Sequence, residues 1–93
     1  MPRIPYWPDK DPDDIAAYRV DWEDRLDGDT ISTSTFTVDA GTCVVDSSDE
    51  TTTTASAAIS GGAEGETCEI RNRITTAALK TFDQTVLLRI RKR

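Results

Sequence analysis

Apolar and polar residues alternate in two stretches near the C-terminal end of the chain. Residues 66–74 place Cys68, Ile70 and Ile74 on one face and charged side chains on the other. Residues 82–90 do the same, with Phe82, Gln84, Val86, Leu88 and Ile90 on one face. A period of two is the period of a β-strand, in which successive side chains point to opposite faces. Both stretches therefore predict half-buried strands.

The remainder of the chain repeats this pattern in short segments separated by turn residues. Tyr18, Val20 and Trp22 alternate with charged residues and predict the first strand. Further strands are predicted over residues 30–38, 42–46 and 51–59, with Asp-Ala-Gly and Ser-Ser-Asp-Glu turns between them. Six or seven short strands separated by such turns predict an all-β fold, a single antiparallel β-sandwich.

Large apolar side chains on the predicted inner faces supply the expected core. They are Trp22, Phe36, Ile70, Ile74, Phe82, Val86 and Leu88. Leu26 is the one apolar residue in a polar connection and is expected to plug one end of the core. Ile31 and Phe36 fall on opposite faces of one predicted strand, so a β-bulge or a switch of sheet is expected between them.

The first ten residues have a composition of their own. They contain three prolines, Tyr6 and Trp7, which favours an extended path and excludes a central strand. We therefore divide the chain into an extended N-terminal arm (residues 1–10) and a sandwich domain (residues 11–93). Neither aromatic is expected to be buried, so Tyr6 and Trp7 are predicted partner-binding anchors, with Arg91 and Arg93 as a charged rim. Alternatively, the arm folds back over an open edge of its own sheet.

Composition argues against several classes of function. The chain has 93 residues, no histidine and a net charge of −6. A chain this short without histidine has little with which to build a catalytic pocket, and an acidic surface is unsuited to nucleic acid. No segment has the length and hydrophobicity of a membrane span or a signal peptide. We predict no catalytic residues, no cofactor, no small-molecule substrate and neither a nucleic-acid nor a membrane partner.

Two groups of residues have the chemistry of metal ligands. Asp9, Asp11 and Asp13 have the spacing of a calcium loop, but its glycine and its terminal glutamate are replaced by Asp14 and Val20. This pattern favours a solvated capping turn over a metal site. The cysteines are too few for a four-ligand zinc site in a chain without histidine. No metal is therefore predicted.

Cys43 and Cys68 both fall on predicted inner faces, so a disulfide between the sheets is geometrically possible. Synthesis in a cytosol, where thiols are kept reduced, favours two buried free cysteines instead. Both alternatives stay open at the level of sequence.

Charge is distributed unevenly along the chain. Residues 1–50 contain 13 acidic and 4 basic side chains, whereas residues 51–93 contain 4 acidic and 7 basic ones. If the two halves formed different faces, identical subunits could stack head to tail. If their strands interleave in the sandwich, the asymmetry cancels in space.

A series of short motifs resembles a family of small immunoglobulin-like virion proteins of tailed bacteriophages, the fiber-tail adaptor proteins. In order they are Asp11-Pro12-Asp13, Tyr18, Val20-Asp21-Trp22, Leu26, Gly28-Asp29-Thr30-Ile31, Ser34-Thr35-Phe36, Ala40-Gly41, Ser60-Gly61-Gly62, Gly65 and Asn72-Arg73-Ile74-Thr75-Thr76. Phe36 stands where the family pattern has tryptophan.

The resemblance implies an immunoglobulin-like sandwich and a non-enzymatic structural role. The protein would be made in the cytoplasm of the host bacterium and incorporated into the virion. Its partners would be tail, neck or fibre proteins and copies of itself. Within this pattern Asn72 can satisfy buried backbone groups, and Arg73 is expected to pair with Asp21 or Asp29.

Two other functions are alternatives. A capsid or tail decoration protein can share the same fold and would be present in hundreds of copies per particle. A carbohydrate-binding module would need an exposed aromatic cluster, and this chain has only six Trp, Tyr and Phe residues, several of them needed for the core.

Overall fold

The computed structural model describes residues 4–92, which form six β-strands and one short helix. These are β1 (Ala16–Asp21), α1 (Glu23–Leu26), β2 (Ile31–Ala40), β3 (Cys43–Glu50), β4 (Thr54–Gly61), β5 (Thr67–Thr76) and β6 (Thr81–Arg89). Two three-stranded antiparallel sheets, ordered β1-β4-β3 and β2-β5-β6, pack as a sandwich. The predicted all-β sandwich is confirmed. Within residues 4–92 no helix has the length and hydrophobicity needed to cross a membrane.

The strand order is that of an immunoglobulin constant-type domain, in which strands A, B, E and D form one sheet and C, F and G the other. The sheet β1-β4-β3 corresponds to B, E and D, and the sheet β2-β5-β6 corresponds to C, F and G. Among the six strands of the described chain, strand A has no counterpart. The sandwich is therefore immunoglobulin-like in topology, with three strands in each layer.

The alternation along the strands determines which side chains enter the core. Of the seven residues assigned to it, five are buried, namely Trp22, Ile70, Ile74, Val86 and Leu88. Phe36 and Phe82 are half-buried and pack against that cluster. Leu26 is 5% exposed and closes one end, as predicted.

A buried hydrogen-bond network joins Trp22 to Asn72. The indole Nε1 of Trp22 donates to Asn72 Oδ1 at 2.7 Å. Asn72 Nδ2 donates in turn to Ser34 Oγ at 2.9 Å and to the carbonyl of Thr35 at 3.0 Å. The oxygen and the nitrogen of this amide are thus both hydrogen-bonded, which limits the cost of burying a polar group. Asn72 thus hydrogen-bonds a backbone carbonyl as expected, but that carbonyl belongs to the exposed residue Thr35.

The boundary between β3 and β4 differs from the prediction. Residues 47–50, expected to turn the chain, continue β3 and pair with residues 55–58. The turn lies at Thr51, whose Oγ1 accepts from the N–H groups of Thr53 at 3.3 Å and Thr54 at 3.0 Å. A Ser-Asp run has the composition of a turn, and the neighbouring strand that holds it extended is not visible in the local sequence.

β2 is irregular at both ends and regular in between. Its register against β5 shifts between Ile31 and Thr33, which confirms the bulge expected between Ile31 and Phe36, and shifts again between Val38 and Ala40. Ile31 is buried at 8% exposure because the first bulge turns it towards the core.

Cys43 of β3 and Cys68 of β5 form a disulfide between the two sheets. Their Cα atoms are 6.4 Å apart, within the range that a disulfide spans. The favoured expectation of free thiols is therefore wrong, because the strand pairing places the two inner-face positions opposite each other. Gly41, with a φ of 98°, is required nearby, since a Cβ there would lie 2.6 Å from Cys68 Sγ.

The turn between β5 and β6 holds Leu79 in the left-handed region, with a φ of 66° and 86% exposure. For a residue other than glycine, this backbone conformation costs about 1–2 kcal/mol of conformational free energy. Leu79→Gly is therefore expected to raise the free energy of unfolding in urea by about 0.5–1 kcal/mol, after allowing for the greater entropy of glycine in the unfolded chain.

Ala78→Gly is the matched control, because Ala78 lies in the same turn without a positive φ. That variant should lower the free energy of unfolding by about 0.4–1 kcal/mol. A loss of stability in both glycine variants would contradict the assignment of backbone strain to Leu79.

Candidate interaction surface

The described part of the arm, residues 4–10, lies as an extended segment along the outer edge of β6. It pairs in parallel, with bridges between Tyr6 and Leu87 and between Lys10 and Ile90. Four backbone hydrogen bonds of 2.8–3.0 Å join the arm to residues 87–91. The structure thus shows the alternative in which the arm folds back over its own sheet edge. Because prolines in the arm lack an N–H, its outer side is a poor template for another strand.

Trp7 is part of the core, so the expectation that neither arm aromatic can be buried is wrong for this residue. Its side chain is 9% exposed and stacks on Tyr18 with ring centroids 4.8 Å apart. The indole Nε1 donates to the carbonyl of Arg19 at 3.1 Å. Pairing with β6 brings the arm alongside β1 as well, and Trp7 fills the space between those two edges. Whether Trp7 also contacts a partner stays a prediction.

Lys10 fixes the other end of the arm and was missed from the sequence. It is fully buried, and its Nζ donates to the carbonyls of Asp11 at 2.8 Å and Gly61 at 2.7 Å. Lysine is rarely buried, so its position in a charged segment gave no signal of this role. The two carbonyls belong to the start of the domain and the end of β4, and Lys10 therefore joins the arm to the sandwich.

The arm presents a mixed aromatic and charged surface to solvent. We define the arm face as Ile4, Tyr6, Asp9, Arg89 and Arg91. Tyr6 is 51% exposed, and the guanidinium of Arg89 lies over its ring at 4.6 Å from the centroid. Asp9 lies 3.7 Å from Arg89 and 4.0 Å from Arg91. Of the four predicted partner-binding residues, Tyr6 and Trp7 lie in the arm and Arg91 lies beside it. Arg93 lies outside the described residues.

The Asp residues around the start of the domain form a self-contained turn. The N–H of Asp13 donates to Asp11 Oδ1 at 2.9 Å, and the N–H of Asp11 donates to Asp14 Oδ2 at 3.3 Å. Carboxylates that accept from their own backbone are typical of the capping turn expected here. These bonds position the chain between the arm and β1.

The acidic and basic halves of the sequence interleave in space. β1 and β3, from the acidic half, flank β4, while β2, also from that half, lies beside β5. Asp39 and Arg71 approach to 3.5 Å across one sheet. The strand order therefore follows the alternative in which the two halves interleave, and it gives no support to stacking of an acidic half on a basic half.

Arg73 pairs with Asp83, at 2.7 Å, and the expected pairing with Asp21 or Asp29 is wrong. Asp83 lies directly opposite Arg73 on β6, which a strand order unknown from sequence could not reveal. Hydrogen bonding from the guanidinium lowers the pKa of Asp83 below its ordinary value.

Glu66 ties two loops together at the end of the sandwich that holds the disulfide. Its Oε1 accepts from Thr42 N at 3.0 Å, Thr42 Oγ1 at 2.7 Å and Ala63 N at 3.2 Å. The hydrogen bonds from Thr42, followed by that from Ala63, lower the pKa of Glu66 below its ordinary value. General acid–base catalysis at neutral pH calls for a carboxyl pKa shifted upwards, so Glu66 and Asp83 are suited to holding structure.

Residues 10–89 match a family model described as "Podophage GP4 fiber-tail adaptor protein gp77". The matched range begins at the buried Lys10 and contains every strand of both sheets. Tyr6, Trp7 and Arg91 lie outside it. No curated protein and no solved structure shows significant similarity to the chain.

Proposed function

Because the chain belongs to the podophage fiber-tail adaptor protein family, it is a non-enzymatic structural component of the phage virion, and we propose that its arm face docks on a tail or fibre protein. The adaptor role implies binding to both kinds of protein. The family match covers the sandwich and leaves most of the arm outside, which supports an arm that carries this chain's own partner preference.

The observation that carries the proposal is an exposed tyrosine on a segment that is already fixed in place. Tyrosine and arginine are enriched among the residues that dominate binding energy, and here Tyr6 lies under Arg89. Backbone hydrogen bonds to Leu87 hold the arm at Pro5 and at Trp7, on either side of Tyr6, so docking would immobilise few additional groups. Arg89 and Arg91 share a single carboxylate, that of Asp9, and each is about half exposed. Their positive charge is therefore only partly neutralised and can contact a partner.

Tyr6→Ala tests this surface in particles assembled by a phage that lacks its own copy of the gene. Loss of a binding hot spot of about 2 kcal/mol weakens binding about 30-fold. We therefore expect at least a tenfold fall in the copies of this chain per purified particle, measured by quantitative mass spectrometry. The folded domain should persist, because Tyr6 is half exposed.

Ile15→Ala is the matched control, since Ile15 is a 73% exposed apolar residue outside the arm face. Its copy number should equal that of the unsubstituted protein. Equal incorporation of Tyr6→Ala and Ile15→Ala would refute docking through the arm face. We further propose that copies of the chain form a closed ring of on the order of six to twelve subunits in the particle. Hundreds of copies would instead indicate a decoration protein.

A further inference from the structure

β2 is an edge strand whose outer side has no partner strand among the described residues. It pairs with β5 on one side only. At its start the N–H of Ile31 donates to the carbonyl of Thr52, at 2.9 Å, and beyond that point no further strand covers it in residues 4–92. Between its two bulges, residues 33–38 keep a regular register and thus offer a straight row of backbone donors and acceptors.

The other edges of the sandwich are each protected. The arm covers β6, and the indole of Trp7 caps the carbonyl of Arg19 on β1. β3 carries three acidic residues, Asp46, Asp49 and Glu50. β2 has no charged residue before Asp39, which lies beside its second bulge. Natural sheets block edges with charges, prolines or covering segments, and β2 lacks all three over residues 33–38.

The immunoglobulin-like topology gives a precedent for a further strand at this edge. In variable-type immunoglobulin domains the sheet that contains C, F and G is extended by strand C′, and β2 corresponds to C. The inner-face residues Phe36 and Val38 of β2 and Val45 of β3 are only partly buried. An added strand would cover apolar surface there as well as pair with the backbone.

The acidic side chains of β3 give the surface beside the open edge of β2 a negative charge. β3 follows β2 after a tight turn and packs beside it on the same side of the sandwich. Asp46, Asp49 and Glu50 are all exposed, and none takes part in the ion pairs of the described chain. Glu50 lies opposite the buried Ala55, hence on the inner side of its sheet, which faces the layer of β2, whereas Asp49 lies opposite Ser56 on the outer side.

We propose that β2 accepts an extended, lysine- or arginine-bearing segment of a tail or fibre protein as a fourth strand of its sheet. Backbone hydrogen bonds to residues 33–38 would supply affinity, and the negative charge of β3, with Glu50 on the side that faces β2, would select the basic segment. This inference rests on the proposed adaptor function and adds a second docking surface on another edge of the sandwich from the arm face.

A second copy of this chain is the wrong occupant for the same edge. Two copies meeting through β2 would bring their β3 strands together, with three acidic residues on each. Like charges that meet at an interface suppress that pairing, and the net charge of −6 adds long-range repulsion. β3 therefore allows β2 to stay open to a partner while it prevents two copies from pairing through this edge.

Hydrogen–deuterium exchange tests the site directly. The probes are purified fibre protein of the same phage and, separately, purified tails assembled without this chain. Binding of one of them should slow exchange of the outward amides in residues 33–38 at least tenfold. Binding without any slowing in that segment would overturn the inference while leaving the adaptor function intact. Failure to bind either probe would overturn both.

A charge-neutral variant tests the selection by β3. The triple substitution Asp46→Asn, Asp49→Asn and Glu50→Gln should weaken binding to the same probe at least tenfold and reduce its dependence on salt. The matched control is Asp13→Asn, Glu23→Gln and Asp24→Asn, which removes the same charge from exposed positions outside β3. Equal binding by the two triple variants would refute a basic partner. Dimerisation of the unsubstituted chain, seen by sedimentation together with slowed exchange in residues 33–38, would show a second copy to be the occupant and overturn the inference.

Discussion

Trp7→Ala is expected to lower the free energy of unfolding by about 3–5 kcal/mol, the usual cost of truncating a buried tryptophan. The side chain is 9% exposed, stacks on Tyr18 and caps a carbonyl of β1, so its loss opens a cavity and leaves a backbone acceptor unpaired. A domain of this length is stable by about 5–14 kcal/mol in total. Urea unfolding followed by circular dichroism should therefore show a large fall in the midpoint.

Tyr6→Ala is the control for this experiment, because it truncates the neighbouring aromatic of the same segment. Tyr6 loses only an exposed contact with Arg89, worth about 0.5–1 kcal/mol. The two variants should thus separate stability from binding. Trp7→Ala should unfold at a lower urea concentration, whereas Tyr6→Ala should fold normally but fail to dock. Equal urea midpoints for the two variants would show that the arm is not part of the folded domain.

Removal of the disulfide should also have a large effect. The double substitution Cys43→Ala and Cys68→Ala is expected to lower the free energy of unfolding by about 3.5 kcal/mol, from the chain entropy that a cross-link of this span removes from the unfolded state. The two cysteines are 25 residues apart in sequence. A thiol reductant should have the same effect on the unsubstituted protein and none on the double variant, when urea midpoints are compared.

Titration of the thiols in the unfolded protein, without a reductant, tests whether the disulfide is present in solution. Two titratable thiols, together with a urea midpoint that a reductant does not move, would show that the disulfide is absent in solution. The expected loss of about 3.5 kcal/mol is smaller than the total stability of about 5–14 kcal/mol expected for a chain of this size. The reduced chain can therefore fold in a reducing cytoplasm, and oxidation then adds stability.

Strand positions were largely predictable because alternation is a local signal. The alternation in residues 66–74 and 82–90 anticipated β5 and β6, and the mismatch between Ile31 and Phe36 anticipated a bulge. The extension of β3 through residues 47–50 could not be read in this way, because a polar segment stays extended there only through its pairing with β4.

Side-chain partners were less predictable because they depend on strand order. Asp83 replaces the expected partners of Arg73 since β6 lies beside β5, a fact of topology. Trp7 and Lys10 were misjudged or missed for a related reason: their burial depends on a parallel pairing between residues about eighty positions apart. Nothing in the composition of a proline-rich, charged segment indicates such a contact.

The parallel pairing of the arm with β6 also sets the direction in which the protein resists force. The chain enters the arm near Leu87 and leaves β6 near Lys10, so tension between its two ends pulls the paired segments past each other along their length. The four hydrogen bonds between them are then stretched together and must break together, whereas an antiparallel hairpin pulled at its open end would unzip one bond at a time. The arm is therefore held most firmly against a pull along its own length.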